Sequence, residues 1–144
     1  MKKLKVLAMM LCIAAMGLAT SCSKDNKIES ADIIGYWKCT HSVWHYVSIS
    51  HGVVDADFTR TDECVGETWQ LTENGKIYID GNDKGGYSVS DGYLVLDKKD
   101  DLLVKRYKIE KVTDNTLILS HVHDGEVSSD DEYAQNVWLE FERI

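Results

Sequence analysis

The chain has 144 residues, 16 basic and 24 acidic, for a net charge of −8 at neutral pH. Phosphate backbones are bound by basic surfaces, so nucleic acid is excluded as a natural partner. The length suits one domain around one core.

Residues 1–5, MKKLK, carry three lysines, and residues 6–19, VLAMMLCIAAMGLA, are apolar throughout. A membrane-crossing helix needs about 20 apolar residues, so this shorter stretch with a basic start reads as a signal peptide over 1–21. Small residues Ala19, Thr20 and Ser21 precede Cys22. The stretch resembles the lipobox of bacterial lipoproteins, with Leu18 four rather than three residues before the cysteine. That resemblance implies cleavage before Cys22 and acylation of it. Several acyl chains hold a protein firmly. The expected location is therefore the cell envelope, anchored to the outer membrane on its periplasmic side or at the cell surface. Residues 23–32, SKDNKIESAD, are almost all polar, and residues 22–32 read as the lipidated cysteine and a flexible tether.

Cys12 leaves with the signal and Cys22 goes to lipid, which leaves Cys39 and Cys64. In an oxidising compartment this pair suggests a disulfide, closing a loop of about 25 residues and contributing roughly 3 kcal/mol in the chain-entropy model. The alternative is two separate buried thiols.

From residue 33 to 144 no helical periodicity is sustained. Short alternating runs of β-branched and aromatic residues recur instead, after a long first strand from Ile34 to about Ile49. They are cut by turn pairs: Asn74-Gly75, Asp91-Gly92 and Asp114-Asn115. The pattern predicts an all-β domain of eight or nine antiparallel strands, an up-and-down barrel or a sandwich. "IIGYWK", residues 33–38, and "VWLEFERI" at the end resemble the first and last strands of lipocalins. Short bacterial lipoproteins with a lipocalin-like domain share the whole layout. The resemblance implies an eight-stranded barrel with a cup for a small, mostly apolar molecule. Gly35, Trp37 and Arg143 would then form the closed end.

Strand parity extends this reading. If Trp37 faces inward, so do Cys39, His41, Val43 and His45. Leu117, Leu119, His121 and His123 share a face, as do Val137, Leu139, Phe141 and Arg143. Candidate cavity-lining residues are thus His41, Val43, His45, Leu117, Leu119, His121 and Leu139. Large core candidates are Leu71, Ile77, Ile79, Leu94, Leu96, Ile109, Leu117, Leu119 and Phe141. Four histidines at the cup, His41, His45, His121 and His123, are candidate ligands for a metal or haem. Wet histidines near a mouth are the commoner outcome, so no metal or cofactor is expected. Tyr36, Trp44, Tyr46 and Trp138 fall on the outward parity. Either this seam contacts another protein, or a bulge turns Trp44 and Tyr46 into the cup.

Neither a Gly-x-Ser-x-Gly elbow, nor a His-Glu-x-x-His pair, nor a phosphate-binding glycine loop occurs. Two functions remain in view. The first is a lipid-anchored lipocalin-like barrel that binds a small, partly apolar ligand without catalysis. The second is a solid-cored accessory or adhesion module, working through its outer surface or loops on a protein partner.

Overall fold

A computed structural model describes residues 27–97 and 102–144. The signal peptide and Cys22 lie outside these residues. One short helix, α1 (Ser30–Ile33), precedes nine strands: β1 (Gly35–Ser50), β2 (Val53–Thr61), β3 (Thr68–Leu71), β4 (Lys76–Ile79), β5 (Asn82–Ser90), β6 (Tyr93–Leu96), β7 (Arg106–Val112), β8 (Thr116–Val122) and β9 (Asp131–Arg143). From β3 to β9 each strand pairs antiparallel with the next, and β9 returns to pair with β1. The result is a closed antiparallel barrel of eight strands plus one extra strand, the all-β up-and-down architecture expected of a lipocalin-like chain.

The extra strand is β2. On one edge β1 meets β9 from Trp37 to Ile49. On its other edge β1 meets β3 over Gly35–Lys38 and β2 from Val43 upward. Thus β2 and β3 form one interrupted partner of β1, joined by residues 62–67. This loop stays fastened to β1: Asp62 N donates to Ser42 O, Gly66 N to Cys39 O, and Cys39 N to Glu67 O. Since β2 pairs only with β1, the β1–β2 hairpin stands out as a flap beyond the barrel wall. Its turn, His51-Gly52, has φ of 53° and 78°. Both central residues are left-handed, as a two-residue turn of this twist requires. The Asp91-Gly92 turn, anticipated in the sequence, has φ of 52° and 79°.

The core fills the end of the barrel where β1 begins and β9 finishes. Ile33, Trp37, Leu71, Ile77, Leu94 and Leu117 are fully or almost fully buried there, and Leu119, Leu139 and Phe141 continue the packing. Burying each of these large side chains contributes about 1.5–3 kcal/mol. Ile28 packs on the same core, and Glu29 N donates to Asp32 Oδ2 at 2.7 Å. Core packing therefore already involves Ile28, inside the segment 22–32 read from its polarity as a tether. Ile28 and Ile33 supply apolar anchors that composition alone conceals within a polar segment.

Arg143 plugs this closed end. Its guanidinium carbon lies 4.2 Å from the Trp37 ring centroid. Nε donates to Asp114 O and Nη1 to Ile34 O, both at 2.6 Å. Trp37 Nε1 donates to Ile33 O at 2.8 Å. One side chain thus ties the first strand, the last strand and the β7–β8 turn together.

Candidate functional site

The opposite end is open. It carries a cup of about 280 Å³. Trp44, Tyr46, Trp69 and Tyr107 give it aromatic walls. Ile79, Leu96 and residues 102–104, which precede β7, complete the apolar lining. Cys64, Glu67 and Lys84 are its polar members.

Trp44 and Tyr46 reach the cup through a bulge. Opposite β9, Cys39 pairs with Phe141 and His41 with Glu140, so Thr40 is one residue too many. An extra residue reverses the parity of everything after it. Ser42, fully buried, follows the inward face, and Trp44 and Tyr46 continue it. The two rings stack 5.7 Å apart, and Tyr46 stacks on Phe58 of the flap at 5.4 Å. The Arg60 guanidinium lies 4.9 Å from the Phe58 centroid. An aromatic stripe therefore runs from the cup onto the flap.

The same bulge corrects the cavity assignment of His41, Val43 and His45. All three point outward. His41 Nδ1 sits 2.5 Å from Asp62 Oδ1, and His45 Nε2 sits 2.7 Å from Asp57 Oδ1. Asp62 also accepts from Ser42 N, and these bonds hold its carboxyl below the usual range. Leu117, Leu119 and Leu139 do face inward, but they lie in the filled core below the cup. His121 sits at the rim, with Nδ1 3.0 Å from Arg106 O and its ring edge-on to Tyr107 at 6.5 Å. His123 lies on Tyr133, 4.4 Å between centroids. The four histidines do not converge, and among the described residues no three His, Cys, Asp or Glu side chains form a group that could hold a metal ion.

Cys39 and Cys64 are free thiols, so the bond expected between them is not formed in this structure. Burial, then the neighbouring Cys64, pushes the Cys39 thiol up to about 12. Burial, then the neighbouring Glu67, likewise raises Cys64, opposed by Ser42, while the buried Trp44 indole N–H has no hydrogen-bond partner. Neither thiol is poised as a nucleophile, since the thiolate is the reactive form.

Glu67 is the cup's acidic group. It accepts from Trp69 Nε1 at 2.6 Å. Burial first, and Asp80 nearby, hold its carboxyl above the usual range, while Trp69 and Lys84 work the other way. Tyr107 is buried, and desolvation raises its phenol.

Reading the sequence missed most of this lining. Trp69, Tyr107, Glu67 and residues 102–104 come from strand ends and connections, where alternation offers no guide. A cluster of tryptophan and tyrosine near strand ends was the available signal. In comparisons with known proteins, no family model, no curated protein and no solved structure matches the chain.

Proposed function

We propose that this chain is a lipid-anchored envelope lipoprotein of the lipocalin-like kind, binding a small, partly apolar molecule in the cup without chemical conversion. One observation carries the reading: a mostly apolar, aromatic-walled cavity, floored by a packed core and open at one end. Small-molecule sites have this character, apolar with a few placed polar groups, and eight-stranded barrels are wide enough to hold one small ligand. A lipid on Cys22 would tether the domain by its closed end, where α1 enters, and leave the cup facing away from the bilayer. No helix among the described residues is long and apolar enough to cross a membrane.

A saturable apolar fluorescent probe tests the reading. It should bind at one site and be displaced by unlabelled apolar alcohols. Ile79→Trp places a larger ring in the cup wall and should weaken the probe at least about tenfold, a loss of 1.4 kcal/mol. Unchanged affinity in a folded Ile79→Trp protein contradicts the assignment.

A second reading has one observation in its favour. Val43, Val122 and Trp138 line a shallow outer groove, and Trp138 is 37% exposed. An exposed tryptophan beside aliphatic side chains suits a protein partner. Its affinity for such a partner would be unaffected by filling the cup.

A further inference from the structure

Two charged side chains, Glu67 and Lys84, stand in the otherwise apolar wall of the cup. Glu67 is held there. Its Oε1 is fixed by the Trp69 indole, itself buried, so the carboxylate cannot swing freely into solvent. A half-buried carboxylate against apolar surface is costly unless a cation joins it. Lys84 supplies part of that compensation, opposed by Asp80.

The charged groups of the cup wall balance, one acid and one base, so the remaining walls decide what it prefers. Asp62 and Glu63 stay outside it, paired with His41 at 2.5 Å and with Arg60 at 3.1 Å. The aromatic walls favour a cation, because ring faces attract organic ammonium groups. Four aromatic side chains, one fixed carboxylate and Lys84 line this small space.

We propose that the ligand of the cup is an organic amine, protonated at neutral pH, with its apolar body among Trp44, Tyr46 and Tyr107 and its ammonium group on Glu67. The inference rests on the cup being the ligand site. It adds the charge and chemical class of the occupant.

Three probes with one alkyl chain separate the alternatives: octylamine, 1-octanol and octanoate, titrated at neutral pH into the full chain while tryptophan fluorescence is followed. Octylamine should bind about tenfold more tightly than octanol, the ratio a charge-assisted contact supplies, and octanoate most weakly. In Glu67→Gln, which keeps an oxygen acceptor for Trp69, octylamine should fall to the octanol level while octanol is unchanged. The amine preference should also fade as pH drops and Glu67 takes up a proton, which burial makes it do earlier than an exposed glutamate. Octanoate binding as tightly as octylamine, or an amine preference that survives Glu67→Gln, overturns the amine assignment but leaves the cup as a site. Absence of binding by all three overturns both.

Discussion

Trp37→Ala is expected to lower the melting temperature by about 10–20 °C, and Arg143→Ala by roughly half as much. Trp37 is fully buried at the closed end, and truncating a buried tryptophan costs about 3–5 kcal/mol through lost transfer energy and the cavity left behind. In a domain of this size each kcal/mol moves the melting point by about 4 °C. Arg143→Ala removes the guanidinium from the indole face and frees the carbonyls of Ile34 and Asp114. The cation–π contact contributes about 0.5–2 kcal/mol and each hydrogen bond about 1 kcal/mol net. Because the two side chains touch, the double variant should lose less than the sum of the single losses. Thermal unfolding followed by circular dichroism measures all three. Additive losses would mean that the contact contributes nothing.

Gly35→Ala is expected to be almost as damaging, although it adds only one methyl group. Gly35 has φ of 140°, a conformation that side-chain-bearing residues rarely adopt, and this alone costs about 1–3 kcal/mol. A Cβ there would also overlap Nη1 of Arg143. The guanidinium would have to leave Ile34 O, so the variant loses the plug as well as the backbone geometry. Placing Ala at Gly35 in an Arg143→Ala background separates the two costs: the overlap disappears and the backbone cost remains. The melting-point drop caused by Gly35→Ala should therefore be smaller in that background than in the native chain.

These two predictions concern what the residues declare most openly. Gly35, Trp37 and Arg143 sit at chain positions where alternation is undisturbed, and closure of the sheet brings them together. The interior of the barrel was legible for the same reason. Leu71, Ile77, Leu94, Leu117 and Phe141 alternate cleanly and are buried. Legibility fails at Thr40. A bulge that turns Trp44 and Tyr46 into the cup was one of the two readings of this seam and is the one found, but nothing in the identity of a single threonine marks where it falls or that it sends His41 outward with His45. The strand β2 was concealed differently. Its sequence, VVDADFTRT, is exposed along almost its whole length, because it pairs beside the barrel rather than in it. A strand with no buried face has no reason to alternate.

The cup was the least legible part. Its wall is assembled from the upper ends of several strands and from the segment before β7, and such a wall is a property of closure. The polar members follow the same logic. Glu67 reads as one acid among 24, and only its fixed bond to Trp69 and its burial set it apart. A desolvated carboxylate lowers stability where it stands.

The four tryptophans make the account testable in one experiment, since each reports a different place: Trp37 the closed end, Trp44 and Trp69 the cup, Trp138 the outer wall. The measurement is a nitrogen–proton NMR titration of the indole N–H signals with 1-octanol. Binding in the cup predicts saturable shifts at Trp44 and Trp69, with Trp37 and Trp138 unmoved. Shifts confined to Trp138, or none at all, contradict it.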